Sequence, residues 1–256
     1  MPLKLTPFYS TIFATMSICC CSFGVTIVEW SFETSALPTP AAPGANTVYP
    51  TATSTPNTIP ADAGANASGS AASAFHLGAP TYSTPSGNGS AKSLSATAWG
   101  IGDYWQFSLS TVGFSQVFVG YEQTGSNTGP RDFKLQYSST GIAGPFTDAA
   151  TYSITNDNWS SAVPRPASFH GFDLSAVLEL AQNSNVAFRI IDTSATAITG
   201  GVVGAGGTSR IDNFIVADTM LAAPVPEPSL GMLILAGIGM LSLKTRTRIP
   251  NAGNRH

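Results

Sequence analysis

A chain of 256 residues with only 10% charged side chains, 25 glycines and 18 prolines has the composition of an extracellular β-protein with many turns. Between Val25 and Pro228 it carries 6 basic and 14 acidic residues, a net charge of −8. A surface of that sign repels phosphate backbones and argues against a nucleic-acid partner.

The first element is MPLKLTPFYSTIFATMSICCCSFG. Lys4 supplies a positive start, Ile12 to Phe23 an apolar run, and Ser22 and Gly24 put small residues at −3 and −1 of a cleavage point. This pattern predicts a secretory signal peptide over 1–24; an uncleaved N-terminal anchor is the alternative. Ile18 before Cys19 does not suit a lipobox, which wants a small residue there. Cys19, Cys20 and Cys21 are the whole cysteine complement. Cleavage after Gly24 therefore removes disulfides and thiolate chemistry together.

The segment 25–221 reads as one β-sandwich ectodomain. It opens on VTIVEWSFE, in which Val28, Trp30 and Phe32 alternate with polar residues, the period of a half-buried strand. From about 34 to 73 the chain is rich in Pro, Thr, Ala and Ser, without apolar periodicity, and predicts a long loop crossing the domain surface. A linker between two domains is the other reading, but nine residues of strand do not fold alone. Beyond it come AFHLGA, SLSATAW, YWQFSLS, QVFVGYEQ, DFKLQYS, TYSIT, SFHGFDL, NVAFRIID and SRIDNFIVAD. Trp105, Phe107 and Leu109 share one face, as do Val117, Val119 and Tyr121, and Phe133, Leu135 and Tyr137. Short alternating strands punctuated by Gly, Pro, Asn and Ser predict an all-β, antiparallel, jelly-roll-like sandwich. The clearest helical candidate is LSAVLELAQN, capped by Asp173.

Chemistry in this region is sparse. Neither a His-Glu-x-x-His metal motif nor a Gly-x-Ser-x-Gly elbow occurs, and His170 reads better as a strand histidine than as a base. Glu29 and Glu33 stand about 13 Å apart by strand rise, beyond the roughly 5–9.5 Å of a glycosidase pair. Gly200 to Gly207 precedes a strand and reads as a hairpin loop, not a phosphate cradle. Glu33, Asp212 and Asn213 are candidate ligands for a structural Ca²⁺, a hard cation that takes oxygen donors; otherwise no cofactor is expected. Trp99, Tyr104, Trp105 and Trp159 raise sugar stacking. Trp105 is in phase with the core, so Trp159, in the expected loop NDNWSSAVP, is the exposed candidate.

The tail, 222–256, begins with Pro226-Glu227-Pro228, continues through an apolar stretch over 230–243, and reaches Lys244, Arg246 and Arg248. Fourteen helical residues span roughly 21 Å, short of a hydrocarbon core of about 30 Å. The basic cluster nevertheless matches a stop-transfer signal that stays cytoplasmic, and a single transmembrane helix is expected. These three features in this order resemble a PEP-CTERM sorting signal, a tail also catalogued as an ice-binding protein C-terminal domain. The resemblance covers about the last 30 residues. It implies export, anchoring in the inner membrane before processing, cleavage near Pro-Glu-Pro by an exosortase, and delivery to the cell surface or outside. The chain runs on to His256, past where such signals usually stop. WSFE, GDYWQFSLS, DFKLQYSSTG and SRIDNFIV in turn resemble β-sandwich ectodomains found ahead of such tails, which usually have no assigned activity. The resemblance implies a non-enzymatic structural or adhesive protein whose partners are exopolysaccharide or other surface proteins. A lectin-like module is the alternative, and a secreted hydrolase a third.

Overall fold

The computed structural model describes residues 24–220. The expected signal peptide up to Phe23, with Ser22, the sorting triplet Pro226-Glu227-Pro228, the apolar run 230–243 and Lys244, Arg246 and Arg248 all lie outside the described residues. Among the described residues no helix is long and apolar enough to cross a membrane.

In chain order the strands are β1 (Thr26–Trp30), β2 (Thr47–Tyr49), β3 (Ile59–Pro60), β4 (Ala71–His76), β5 (Tyr82–Ser83), β6 (Leu94–Ala96), β7 (Tyr104–Leu109), β8 (Phe118–Gly125), β9 (Asp132–Ser138), β10 (Thr147–Ser153), β11 (Phe169–Asp173), β12 (Val186–Asp192) and β13 (Ser209–Ala217). They form two antiparallel sheets. The first runs β11-β8-β13-β6-β5, with β1 also on β13; the second runs β10-β9-β12-β7-β4-β2, with β3 also on β4. From β7 onward the chain keeps crossing between them: β7 lies in the second, β8 in the first, β9 and β10 in the second, β11 in the first, β12 in the second and β13 in the first. The all-β antiparallel sandwich expected from the alternation is the observed architecture.

The core forms where the inward residues of the two sheets meet. Trp105, Phe107 and Leu109 of β7, Phe133 and Leu135 of β9, and Val117, Val119 and Tyr121 at β8 are buried, as their period of two requires. Trp30 of β1 sits edge-on to Phe107 at 5.1 Å, and Phe107 stacks on Phe214 of β13 at 3.6 Å. Burying such a side chain contributes about 1.5–3 kcal/mol. Because the sequence has no cysteine between 24 and 220, this apolar contact is what holds the sheets together.

One irregularity re-aims side chains. β13 is bulged against β8 between Asp212 and Ile215, with Asn213 at φ 47°, a left-handed conformation that Asn adopts more readily than most residues. The extra residue shifts the phase. Ile211 and Phe214 both face the core while Asp212 turns to the other face of the sheet.

Two expectations need correction. The Pro/Thr/Ala-rich segment over 34–73 is no plain loop. It contributes β2 and β3, which pair with β4, and it buries Tyr49 and Ile59. Tyr49 stacks on Tyr82 at 3.8 Å, and the Ile59 carbonyl accepts the Trp30 indole N–H at 3.2 Å. Strands of two or three residues are too short to show a period. The helix expected after Asp173 is absent as well. Asp173 Oδ1 accepts the Ser175 N–H at 2.9 Å, and the chain then makes successive i→i+3 turns that include one short 3₁₀ segment, Leu178–Leu180. Both ends are tied to the sandwich, by Leu174 N–H to the Val117 carbonyl and Gln182 N–H to the Phe114 carbonyl. A stretch this short has too few bonds to offset helix nucleation.

Candidate functional site

Half of the residues in each strand of the second sheet face away from the core, and pairing aligns them in rows. Ser73, Gln106, Arg189, Gln136 and Asp148 stand opposite one another across β4, β7, β12, β9 and β10. Neighbouring side chains in this row are bonded in two groups. Gln106 Nε2 donates to Ser73 Oγ at 3.1 Å, and Arg189 Nε donates to Gln106 Oε1 at 2.8 Å. Gln136 Nε2 donates to Asp148 Oδ1 at 2.6 Å, while Lys134 Nζ lies 3.0 Å from the same oxygen and donates to Oδ2 at 3.1 Å. The Gln136 bond and then Lys134 hold the Asp148 carboxyl below its ordinary pKa.

The next row on the same face is mainly apolar. Val48, Phe75, Tyr104, Ile191 and Lys134 align across β2, β4, β7, β12 and β9. Phe75 and Tyr104 are half-buried with rings 5.5 Å apart at 22°, and Val48 is exposed. The Arg189 guanidinium lies over the Tyr104 ring at 4.2 Å and over the Phe146 ring at 3.8 Å, and donates from Nη2 to the Ile142 carbonyl at 3.2 Å. Partial burial lowers its pKa, the Tyr104 neighbour opposing the shift, and the two ring faces compensate part of the lost hydration. An apolar strip beside a ladder of amides and charges can pack the C–H face of a sugar ring and hydrogen-bond its hydroxyls.

Of the four aromatics singled out from sequence, only Tyr104 reaches this surface. Trp99 and Trp105 are core residues. Trp159 is also buried, at 6% exposure, and its indole N–H donates to Ser168 Oγ at 2.8 Å. The expectation that Trp159 offers an exposed stacking face is therefore corrected; its loop folds back onto the first sheet. Gln106, Arg189 and Phe146 were missed, although the period of two that put Lys134 and Gln136 outward puts Gln106 and Arg189 outward too.

Two of the expected calcium ligands, Glu33 and Asp212, meet the same 86–92 loop. Glu33 Oε1 accepts the Lys92 backbone N–H at 2.6 Å. Asp212 is fully buried; its Oδ2 accepts from Asn88 N–H at 2.9 Å and Ser90 Oγ at 2.7 Å, and its Oδ1 accepts from Asn213 N–H at 2.9 Å. Asn213 offers Nδ2, not its oxygen, to Glu122 Oε2 at 2.9 Å. The Glu33 and Asp212 carboxylates are thus each bonded to donors of the 86–92 loop. Among the described residues no cluster of three or more Asp, Glu, His or Cys is placed to hold a metal. What the bulge does create is a buried acid pair, Asp212 opposite Glu122 on β8, under the 86–92 loop. Burial, with the Glu122 charge adding to it, pushes Asp212 up to about 7, and burial also raises Glu122.

Both histidines of the described residues pack against aromatic rings. His76 is fully buried, its Nδ1 3.2 Å from Asp103 Oδ2. His170, packed on Tyr152 at 4.5 Å, is pushed down to about 4 by burial.

The residues described here define a β-sandwich domain with a polar-aromatic outer sheet face. No family model matches the chain, and no curated protein matches it. Solved structures similar to it include the CBM22-1 xylan-binding domain from Paenibacillus barcinonensis Xyn10C, 14% identical over 78% of this chain and 97% of that one, with a TM-score of 0.37. The K2 cleaved adhesin domain of Lys-gingipain is 16% identical over 55% of this chain and 83% of that one, TM-score 0.34. TmCBM61 in complex with β-1,4-galactotriose is 13% identical over 58% and 88%, TM-score 0.33.

Proposed function

We propose that the protein is an exported, non-enzymatic surface protein whose sandwich holds extracellular polysaccharide on the outer face of its second sheet. The observation that carries this reading is the juxtaposition of the Val48–Phe75–Tyr104 strip with the Gln106–Arg189 and Gln136–Asp148 rows. Aromatic faces beside fixed amides suit a neutral, hydroxyl-rich chain, and Arg189 is locked between two rings, which lowers the ordering cost of binding. Export, exosortase cleavage at Pro226-Glu227-Pro228 and inner-membrane retention through Lys244, Arg246 and Arg248 belong to the same reading, supported by the order of those features in the tail. A glycan array probed with the purified chain tests the binding claim. Retention of defined polysaccharides that is lost on Phe75→Ala with Tyr104→Ala supports it; an array with no retained glycan, or one indifferent to that variant, counts against it.

A further inference from the structure

On the first sheet a cleft opens beside β13. It has a volume of about 340 Å³ and is walled by the β8 end and following turn and by the 156–159 segment, with Arg210 in its lining. The walls are pinned. Thr124 Oγ1 donates to the carbonyls of Thr155 and Asp157 at 2.9 and 3.2 Å, and Asn156 Nδ2 donates to Asn127 Oδ1 at 2.7 Å. The volume is at the lower end of the roughly 300–1,000 Å³ typical of ligand pockets.

Arg210 stands apart from the other cations of the described residues. Arg131 is paired with Asp132 at 2.9 Å and Lys134 with Asp148 at 3.0 Å. Lys92 Nζ donates to the Glu33 carbonyl at 2.8 Å, Arg189 is held by Gln106 and Ile142, and Arg165 is exposed. Arg210 is half-buried, yet its guanidinium has neither a hydrogen bond nor an ion pair within the described residues. Its nitrogens are not sealed from solvent, so they remain open to a ligand in the cleft. Asp157, the one carboxylate in the lining, accepts from Ser168 Oγ through Oδ2 at 2.5 Å and forms no ion pair with Arg210. The remaining polar wall is amide and hydroxyl, from Ser126, Asn127, Thr128, Asn156 and Asn158.

We infer that this cleft is an anion-selective saccharide subsite. Arg210 takes the carboxylate of a uronate residue, and the surrounding amides and hydroxyls take its ring hydroxyls. Guanidinium and carboxylate match in a bidentate, charge-assisted geometry. The subsite stands on its own residues, none of which belongs to the outer face of the second sheet.

The test is calorimetric titration of the purified full chain at low salt with trigalacturonate, with its methyl ester, and with acetate. Trigalacturonate should bind at least tenfold more tightly than the ester. Arg210→Gln should reduce it to the level of the ester, with Arg210→Lys intermediate and an unchanged melting temperature for each. Asn127→Ala should weaken the acid and the ester together. Equal binding of acid and ester, no measurable binding of the acid, or indifference to Arg210→Gln overturns the proposal. Acetate competing as well as the uronate overturns its saccharide part. Phe75→Ala with Tyr104→Ala leaves this titration unchanged while abolishing retention on the sheet face, so the two readings fail separately.

Discussion

Asp212 of β13 stands directly opposite Glu122 of β8, both buried, with Asn213 Nδ2 bonded to the Glu122 carboxylate. Burial, more than their mutual repulsion, raises Asp212 to about 7. An acid whose folded pKa is raised binds its proton more tightly in the native state. The stability this provides is complete below the unfolded carboxylate pKa of about 4 and is lost as pH rises through about 7. Asp192, raised to about 6 chiefly by burial, acts in the same direction, while His170, lowered to about 4, loses stability as pH falls below its unfolded value. The wild-type profile is therefore a balance of opposed slopes.

The informative measurement is the difference made by Asp212→Asn. Relative to wild type, the variant should gain stability as pH rises from about 4 to about 7 and level off above that, whatever constant offset the altered hydrogen bonds introduce. Urea unfolding at several pH values reads it. A pH-independent difference would mean that Asp212 titrates normally.

Phe133 lies between Trp99 and Tyr152, at ring distances of 5.7 and 6.1 Å, and is 1% exposed. Phe133→Ala should cost about 3–5 kcal/mol, seen as a lower unfolding midpoint at constant slope. A cost below about 1 kcal/mol would show that the core refills the space.

Arg189→Ala should leave the unfolding midpoint nearly in place and weaken glycan retention, because it frees Tyr104 and Phe146 and leaves Gln106 Oε1 without its donor. Arg189→Lys should rescue poorly, since a lysine does not lie flat between two rings. Full rescue by lysine would assign only charge to this position.

Much of the sandwich is legible in the sequence because sheet burial has a period of two, and Trp105, Phe107, Leu109, Phe133 and Leu135 obey it over whole strands. Legibility fails where the structure depends on contacts distant in sequence. Tyr49 and Ile59 are buried only because β4 pairs with the segments that carry them. Trp159 sits among turn formers and reads as exposed, yet a single partner, Ser168, draws it in. The outer-face row was half visible: alternation puts Gln106 and Arg189 outward, but nothing local says that five strands align them with Ser73, Gln136 and Asp148.

Processing at both ends is expected to be separable from folding. N-terminal sequencing of exported material should give VTIVEW, the residues after Gly24; an intact Met1 would mean a retained anchor. Glu227→Ala should leave insertion intact and block tail cleavage, so the full-length form accumulates in the inner membrane. Equal mature size and location for wild type and variant would reduce Pro226-Glu227-Pro228 to a linker.

The placement of β13 has a mechanical consequence. It is flanked by β8 along one edge and by β6 and then β1 along the other, and the chain leaves it at Ala217 toward the tail. A force applied through the tail, as drag on a tethered molecule would apply, pulls β13 along its own length. The ladders on both edges then bear the load in shear and must give way together; a strand at the margin of the sheet would unzip one bond at a time.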